Sequence, residues 1–499
     1  MEGKDLLRFP VDTYTVEEAL VHTASGVKKI TYRAYEHLQY VEKPVNVEYQ
    51  SLDVWVPETI DGEKVDTTNA PILFVVGVGG YMSCNNYHKG MMMPPPGAVS
   101  PGGPGGPGGP GGPGGSGGPG GALPGLGGME GPGENKNLAM AYGFVIVAPG
   151  CRGRDCQQPD GTYFGKAPAA IIDLKAAVRY IRHNRGLLPG NPERILSTGG
   201  SAGGALSCLL AASGNHPLFE PYLEAIGAAR ERDDIFASAS YSAIMNLEHA
   251  DGAYEWEYGT IPCAGAPTGP IKVVPGLVDQ TLSAQLKAIF EAYQDSLKLQ
   301  GRNGFGTITA KNLEEYLLRY YLIPEASRYL KALDDAARAA YLAQQPWISF
   351  DGETAGFTFA DFVRHCGRMK GLPAFDDFAK EMAEPDLFGT ETVKTRHFTQ
   401  FSLQHDPTET ATELSEDLQV IIHMMNPMYF ALEDNPGCAP HWWIRHGACD
   451  KDTSLPIITN LATALENIGK DVNARLIWDG GHCADDDTDG LMLWMKAMC

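Results

Sequence analysis

Residues 194–213 read RILSTGGSAGGALSCLLAAS, and this stretch decides the fold that we expect. A short apolar run, 194–198, is typical of a strand, and the closing ALSCLLAAS is typical of a helix. Between them lies Gly199-Gly200-Ser201-Ala202-Gly203-Gly204, whose glycines permit a sharp turn because they place no Cβ between strand and helix. The G-x-S-x-G pattern in this context makes Ser201 a candidate nucleophile and the N–H of Ala202 a candidate oxyanion donor. The alternative is a glycine-rich strand-to-helix turn in another α/β fold.

Patterns typical of strands and helices alternate on both sides of this turn. Two continuous apolar runs, 71–76 and 143–148, are typical of strands that are covered on both faces, as in a parallel sheet. Further strands are predicted at 45–49, 52–56, 236–244, 441–445 and 473–478, and helices at 168–185 and 455–469. These elements predict a mainly parallel sheet flanked by helices, which is the α/β-hydrolase fold.

The alternation stops between residues 246 and 405, where helical stretches dominate (283–300, 310–322 and 327–345). We interpret 246–405 as an inserted helical lid domain, which divides the core into residues 1–245 and 406–499. A second insertion, 91–133, carries Pro-Gly-Gly triplets. Its composition favours a disordered surface loop over a collagen helix, which needs three long chains with proline-rich positions.

Composition excludes several classes of partner. The formal charge of −22, from 61 acidic and 39 basic residues, argues against nucleic acid and anionic membranes, which attract basic surfaces. No apolar run is long enough to cross a bilayer, and the N-terminal residues lack the apolar core of a signal peptide, so a cytoplasmic enzyme is expected. The ten cysteines form no disulfide framework or zinc-like spacing, and no dinucleotide fingerprint opens a helix. We therefore expect free thiols, no metal and no organic cofactor; the oligomeric state is not indicated.

A serine nucleophile needs a base to take its proton and an acid to orient that base. In α/β-hydrolases the acid and then the histidine follow the serine along the chain, each on a loop after a strand. Asp450 lies in RHGACDKD after the predicted strand 441–445, and His482 lies in DGGHCADDD after 473–478. The sequence also offers competitors: His441 and His446 for the base, and Asp452, Asp479 and Asp485 to Asp487 for the acid.

The second oxyanion donor in such folds comes from a loop after an early strand. Residues 76–81 read VGVGGY and follow the first apolar run. Gly79, Gly80 and Tyr81 are the candidates, although the glycines alone would also suit a tight turn.

The motifs GGSAGG, RHGACDKDTS and WDGGHC together resemble those of the bacterial tannases (tannin acyl hydrolases), over most of the chain. The resemblance implies an α/β-hydrolase with a large lid that hydrolyses galloyl esters, with Asp450 as acid and Asp452 as a binder of the galloyl ring. It further implies that Lys370 in RMKGLPAFDD and Glu384 in AEPDLFG grip the galloyl hydroxyls. The chain departs from that pattern in the Pro-Gly-Gly insertion after the oxyanion loop and in lacking an export signal. Fungal tannases and feruloyl esterases, with a cysteine before the serine, fit less well because Gly200 stands there.

These features predict a serine esterase that acts on gallate esters. Phenolic hydroxyls donate to carboxylates and accept from an ammonium group, so Lys370, Glu384 and Asp452 have suitable chemistry. The alternatives are an esterase for another phenolic acid such as ferulate or for small alkyl esters, a serine peptidase, or a non-catalytic binding protein with a hydrolase-like fold.

Overall fold

The computed structural model describes residues 5–85, 136–264 and 274–498, so the Pro-Gly-Gly insertion at 91–133 lies outside the described residues. The described residues of the first part of the chain form eight strands and five α-helices. The strands are β1 (Thr15–Thr23), β2 (Gly26–Gln39), β3 (Ser51–Ile60), β4 (Glu63–Lys64), β5 (Ile72–Val75), β6 (Val145–Pro149), β7 (Ile195–Gly200) and β8 (Ala237–Tyr241). The helices are α1 (Lys136–Ala141), α2 (Ala169–His183), α3 (Ala202–Ala212), α4 (Glu220–Ala225) and α5 (Leu247–Tyr258).

The middle of the chain is helical, with two small hairpins. Its helices are α6 (Gln280–Leu297), α7 (Leu313–Leu317), α8 (Ile323–Ala332), α9 (Asp335–Gln344), α10 (Phe359–Cys366), α11 (Ala383–Leu387) and α12 (Gln400–His405). The hairpin strands are β9 (Gln300–Gly301), β10 (Gly306–Thr307), β11 (Ser349–Phe350) and β12 (Ala355–Gly356). The final part comprises α13 (Glu416–Met425), α14 (Pro427–Leu432), β13 (His441–Gly447), α15 (Leu455–Asn467), β14 (Asp471–Ile477) and α16 (Thr488–Met498).

The central sheet has the strand order β1-β2-β3-β6-β5-β7-β8-β13-β14, and β4 pairs with β3. β1, β2, β3 and β6 pair antiparallel, whereas all pairs from β6 to β14 are parallel. The predicted mainly parallel sheet is confirmed, and the protein has the α/β-hydrolase fold.

Helices cover both faces of this sheet. One buried cluster joins Ile171 of α2, Leu206 of α3 and Ile458 of α15, and another joins Met140 of α1 with Met492 of α16. Because both faces are covered, β5 and β6 are apolar throughout, and they form from the predicted runs 71–76 and 143–148.

Parallel pairing brings three strand ends to one edge of the sheet. β7, β8, β13 and β14 are neighbours that run in the same direction. Ser201, Asp450 and His482 follow the carboxyl ends of β7, β13 and β14, at the edge where open α/β sheets bind ligands.

The strand predicted at 45–49 is wrong, because these residues form a turn. The side-chain Oε1 of Gln50 accepts hydrogen bonds from the N–H groups of Val45 (2.6 Å) and Asn46 (3.2 Å). Gln50 is itself held by Asp173 of α2, at 2.8 Å. A buried side chain thus takes the donors that a strand would have used for its ladder.

The helix predicted at 327–345 is divided into α8 and α9. The carboxylate of Asp334 accepts from the N–H of Ala337 at 2.8 Å and so caps a new helix. The segment between β8 and β13 supplies no strand to the central sheet within its described residues. The boundaries 246–405 of a lid domain stay a prediction.

Candidate active site

Ser201 lies between β7 and α3 in a backbone conformation that L-residues rarely adopt, with φ 55° and ψ −122°. Its N–H donates to the carbonyl of Tyr241 on β8 at 2.8 Å, and its carbonyl accepts from Ala205 at 3.0 Å. The turn is therefore fixed from both sides, and it presents the residue at the carboxyl end of the sheet.

Two glycines of the motif are required by close packing. A Cβ on Gly203 would lie 2.5 Å from the carbonyl oxygen of Val76, and one on Gly199 would lie 2.6 Å from the carbonyl carbon of Gly203. The N–H of Gly203 donates to the carbonyl of Val78 at 2.8 Å. The start of α3 is thus bonded to the loop after β5, which carries the other predicted oxyanion donors.

Asp450 is buried in the loop after β13, and its Oδ2 lies 2.9 Å from Nδ1 of His482. Its other oxygen accepts from the N–H of Asp452 at 2.8 Å. Burial acts to raise the pKa of Asp450, but neighbouring His446 and the hydrogen bond to His482 outweigh it and lower that pKa to about 2. The group is a carboxylate at neutral pH and can orient an imidazole.

The pKa of His482 shifts in the opposite direction to that of Asp450. Burial acts to lower the pKa of His482, but the hydrogen bond to Asp450 outweighs burial and raises it above the ordinary value. The hydrogen bond to Asp450 also fixes the ring, because Nδ1 donates to the carboxylate and Nε2 is then left for a proton transfer.

The chain neighbours of Ser201 and His482 meet. A Cβ on Gly200 would lie 3.0 Å from Sγ of Cys483. Cys483 donates its N–H to Oγ of Ser242 at 2.9 Å, and its thiol lies 3.7 Å from the carbonyl of Tyr241, which also accepts from Ser201. The end of β8 therefore holds both loops together.

A cavity of about 830 Å³ opens beside Ser201. Its lining includes residues of the core and of the segment between β8 and β13. Those that the sequence singled out are Ser201, Ala202, Gly80, Tyr81, Lys370, Glu384 and Asp452. Gly79 is not among the described residues that line it, and its carbonyl instead accepts from the N–H of Met82 at 3.0 Å.

Tyr81 is held rigidly at the cavity wall. Its φ is 57°, and its buried hydroxyl donates to the carbonyl of Ile244 at 2.6 Å. Burial raises the pKa of this hydroxyl, so it stays a neutral donor.

Glu384 places a carboxylate in the cavity wall, and one of its oxygens has no hydrogen-bond partner among the described residues. The residue Glu384 is 6% exposed, and its Oε2 is buried without a hydrogen bond. Burial raises the pKa of Glu384, although nearby Lys370 acts in the opposite direction. A buried polar atom normally has a partner, so this oxygen can accept a hydrogen bond that the described residues do not supply.

Lys370 and Asp452 complete the polar part of the cavity. Nζ of Lys370 lies 4.0 Å from Oδ1 of Asp452 and 3.8 Å from the ring centroid of Phe375. Oδ2 of Asp452 lies 3.4 Å from Nδ1 of His482. Asp452 therefore stands between the ammonium group and the histidine.

Sequence reasoning missed Arg154, which also lines the cavity. Its Nε donates to the carbonyl of Gly80 at 2.8 Å, and its backbone N–H donates to the carbonyl of Tyr81 at 3.0 Å. Its guanidinium pairs with Asp386 at 2.6 Å, and Lys166 pairs with the same carboxylate. The available signal was weak: Arg154 follows the carboxyl end of β6, the edge at which sites form.

Three of the rival acids and bases are engaged elsewhere. Asp479 accepts from His365 at 2.8 Å and from Tyr341 at 2.5 Å. His441 pairs with Asp471 at 2.9 Å, and Asp486 pairs with Arg475 at 3.0 Å. His446 lies next to the site: it is buried, its Nδ1 is 3.6 Å from Oδ2 of Asp450, and both its ring nitrogens lack hydrogen-bond partners among the described residues.

Three groups in the described part of the chain have ligand atoms close enough for a cation: His365, Cys449 and Asp479; His397, Asp406 and Glu409; and Asp450, Asp452 and His482. In each group a histidine nitrogen already bonds a carboxylate of the same group. No helix in the described ranges has both the length and the apolar character needed to span a bilayer.

Comparisons with known proteins agree with this architecture. A family model described as BD-FAE matches residues 162–253. The esterase LipQ of Mycobacterium tuberculosis is 36% identical over 88 residues, which span 18% of this chain and only 20% of that protein.

Solved structures match over nearly the whole chain. A tannin acyl hydrolase in complex with ethyl gallate is 33% identical, with a TM-score of 0.79 over 99% of both chains. The native tannin acyl hydrolase of Lactobacillus plantarum is also 33% identical, with a TM-score of 0.80 over 99% of both chains.

The fold, the site and these matches define a carboxylic ester hydrolase of the α/β-hydrolase class. The identity and the coverage go further than the class. The chain belongs to the tannin acyl hydrolase (tannase) family.

Proposed function

We propose that the protein is a serine esterase that hydrolyses gallate esters through an acyl-enzyme. Ser201 is the nucleophile, His482 the general base and Asp450 the group that orients it. The alternatives are an esterase for other acids and a binding protein, and the experiment below separates them.

The observation that carries the galloyl assignment is the buried, unpartnered Oε2 of Glu384 in the wall of the cavity that Ser201 lines. A phenolic hydroxyl would donate to this oxygen, and the ammonium group of Lys370 would donate to another hydroxyl. Asp452 adds a second acceptor on the histidine side. An ester without hydroxyls would leave the buried oxygen of Glu384 unpaired, so the site should discriminate strongly against it. The ethyl gallate complex of a family member supports this choice of acyl group.

The reaction follows from the donor arrangement. Oγ of Ser201 attacks the ester carbonyl while Nε2 of His482 takes its proton, because Nδ1 is held by Asp450. The imidazolium then protonates the leaving alcohol, and the acyl group remains on Ser201. A water molecule, deprotonated by the same nitrogen, releases the acid.

The oxyanion is held by the N–H of Ala202 and by the loop of Gly80 and Tyr81. Gly203 bonds that loop to the start of α3, and Arg154 fixes the carbonyls of both loop residues. Such peptides need no rearrangement when charge develops on the oxygen, which is the main advantage of a preorganised site. Gly79 is not among the described residues that line the cavity, and its role as an oxyanion donor stays a prediction.

The segment between β8 and β13 supplies both Lys370 and Glu384. We therefore assign residues 246–405 the role of a substrate-binding cover over the catalytic edge of the sheet. The small-molecule partner is a phenolic ester whose ring lies under this cover.

The test is the hydrolysis of methyl gallate, methyl benzoate and methyl ferulate by four proteins: wild type, Ser201→Ala, Glu384→Gln and Glu391→Gln. Glu391 is an exposed glutamate of the same segment and serves as the matched control. We expect Ser201→Ala to lose at least about 10³-fold in kcat, as removal of a triad member does. Glu384→Gln should raise KM for methyl gallate by roughly 10-fold or more, since a hydrogen bond to a charged group contributes about 1.5–3 kcal/mol. Glu391→Gln should behave as wild type.

Each other outcome contradicts a defined part of the proposal. Equal rates on the two esters, or a faster reaction with methyl ferulate, would keep the serine mechanism and reject the galloyl pocket. Hydrolysis that survives in Ser201→Ala would reject the nucleophile. Failure of every ester, with methyl gallate still bound, would favour the binding protein.

A further inference from the structure

Two thiols lie side by side at the junction of the cover and the core. Cys366 is the last residue of α10, and Cys449 directly precedes Asp450 in the loop after β13. Their Sγ atoms are 2.7 Å apart. Within the described residues these two cysteines are not joined by a disulfide.

A histidine and a carboxylate stand beside this pair. Nε2 of His365 lies 2.8 Å from Oδ1 of Asp479, which accepts at its other oxygen from Tyr341. The hydrogen bond to Asp479 raises the pKa of His365 to about 10. The thiol of Cys366 and the charged His365 lower the pKa of Cys449 to about 7, against the effect of burial.

The two thiols differ in access. Cys449 is partly exposed, and the side chains of its neighbours His365 and Asp479 are 22% and 29% exposed. Cys366 is buried, and burial raises the pKa of its thiol. The geometry gives one thiol that reagents can reach and a second behind it, which is the arrangement of an attacking and a resolving cysteine.

We propose that Cys449 and Cys366 form a redox modification site, in which a small disulfide such as oxidised glutathione converts the pair to an internal disulfide. The inference does not rest on the gallate assignment, because neither thiol belongs to the catalytic machinery. His365 acts as a positioning residue that keeps a positive charge beside the attacking sulfur.

The exchange is balanced with glutathione disulfide as the oxidant. The thiolate of Cys449 attacks one sulfur of glutathione disulfide, the S–S bond breaks, and the first glutathione leaves as a thiolate that takes a proton from water. The thiol of Cys366 then loses its proton and attacks Sγ of Cys449, which releases the second glutathione. Two protein thiols are oxidised, and one glutathione disulfide is reduced to two thiols.

The crosslink would join two elements that carry groups of the site. Gly367 to Lys370 follow Cys366 directly, and Asp450 and Asp452 follow Cys449. Because the sulfurs are already adjacent, closure should keep the cavity and restrict the unfolded chain over the long loop from 366 to 449. We expect activity to be retained and the thermal midpoint of unfolding to rise by about 3 °C or more.

The test uses the full-length protein in glutathione buffers of graded potential, followed by acid quench, alkylation and peptide mass spectrometry. We expect the 366–449 disulfide to form first, and the Cys366→Ser variant to accumulate glutathione on Cys449 instead. His365→Asn should slow the reaction of Cys449 with iodoacetamide by roughly 10-fold or more, in proportion to the lost thiolate. Cys438→Ser is the control, since Cys438 is buried and its pKa is raised to about 11, so its removal should change none of these results.

Three results would overturn the proposal. First, Cys449 could react with iodoacetamide no faster than buried Cys438; this comparison is made in the wild type, so no substitution can affect folding. Glutathione could persist on Cys449 while Cys366 stays reduced. One equivalent of zinc could copurify and block oxidation until a chelator removes it, which would make the cluster a metal site.

Discussion

Ser201, the proposed nucleophile, has a strained backbone conformation. Its φ of 55° with ψ −122° costs an L-residue about 1–3 kcal/mol, and a glycine has no such cost. We therefore expect Ser201→Gly to be more stable than Ser201→Ala by about 1 kcal/mol, although both variants lack the nucleophile. Urea unfolding of the two inactive proteins measures the difference without interference from catalysis. Equal midpoints would mean that the turn relaxes when the hydroxyl is lost.

In the proposed mechanism, the pair of Asp450 and His482 sets the pH dependence of catalysis. Catalysis needs neutral His482, and the hydrogen bond to Asp450 raises its pKa above the ordinary value near 6.5. The value of kcat/KM for methyl gallate should therefore fall as pH drops through a pKa above about 6.5, while the enzyme keeps its rate at higher pH. Asp450→Asn removes the charge that favours the imidazolium, so the fall in kcat/KM on the acid side of the pH profile (the acid limb) should move to lower pH. The same substitution should lower kcat by about 10⁴-fold.

The control for this profile is the distant pair of His441 and Asp471. Asp471→Asn should leave the acid limb where it is. A limb that does not move in Asp450→Asn would mean that another group titrates.

At the scale of single residues, the catalytic candidates could be predicted because chain order and loop position identify them. Ser201, Asp450 and His482 each follow a strand, and the sheet brings those ends together. Arg154 could not be predicted, because its role comes from two carbonyls and from Asp386, far along the chain. A local sequence pattern contains no information about contacts between residues so far apart in the chain.

At the scale of elements, the short helix α11 connects the cavity wall to the loop of Gly80 and Tyr81. It carries Glu384 in the cavity wall and Asp386, which pairs with Arg154 and Lys166. Arg154 in turn holds the carbonyl of Gly80. The Gly80 peptide and Glu384 are therefore linked through α11 and the ion pair of Asp386 with Arg154.

We predict that Asp386→Asn lowers kcat on both methyl gallate and p-nitrophenyl acetate by roughly 10-fold, less than the 10²–10³-fold loss for removal of an oxyanion donor. The reason is that Arg154 loses its anchor and the Gly80 peptide loses its alignment. Steady-state kinetics on the two esters separates kcat from KM.

Asp361→Asn is the matched control, because Asp361 pairs with Arg364 at the surface and should not affect the rate. An Asp386→Asn variant that changes only KM for methyl gallate would restrict α11 to ring binding.

The success of element prediction depended on where the element packs. β5, β6 and α2 are buried, so their apolar patterns alone were enough to predict them. The turn at 45–49 looked like a strand because Val45 and Val47 alternate with polar residues, yet both are more than 40% exposed. The side chain of Gln50 decided that segment, and periodicity contains no information about a long-range bond to Asp173.

At the scale of the whole molecule, the cover and the core share one interior. Buried residues from α6, α7 and α10 belong to the same cluster as residues from α2, α3 and α15. Examples are Phe290, Leu317 and Phe362 from the cover and Ile171, Leu206 and Ile458 from the core. The buried carboxylate of Glu257 in the cover adds a polar contact with the core, because it accepts from the N–H of Leu455 on α15 at 2.8 Å. A continuous interior of this kind opposes independent opening of the cover.

We therefore predict that the protein unfolds in one cooperative transition, in which cover and core melt together. Calorimetry should give a van't Hoff enthalpy equal to the calorimetric enthalpy. Hydrogen exchange at increasing urea concentrations measures the free energy at which each peptide opens. We expect the same value for peptides from α6 and α3, because both open only when the shared interior is lost. The edge hairpin β1–β2, where Leu20 is 70% exposed, should exchange at lower free energy and serves as the internal comparison. A second calorimetric transition, with α6 exchanging before α3, would instead mean that the cover opens by itself, and substrate entry would then be controlled by that opening.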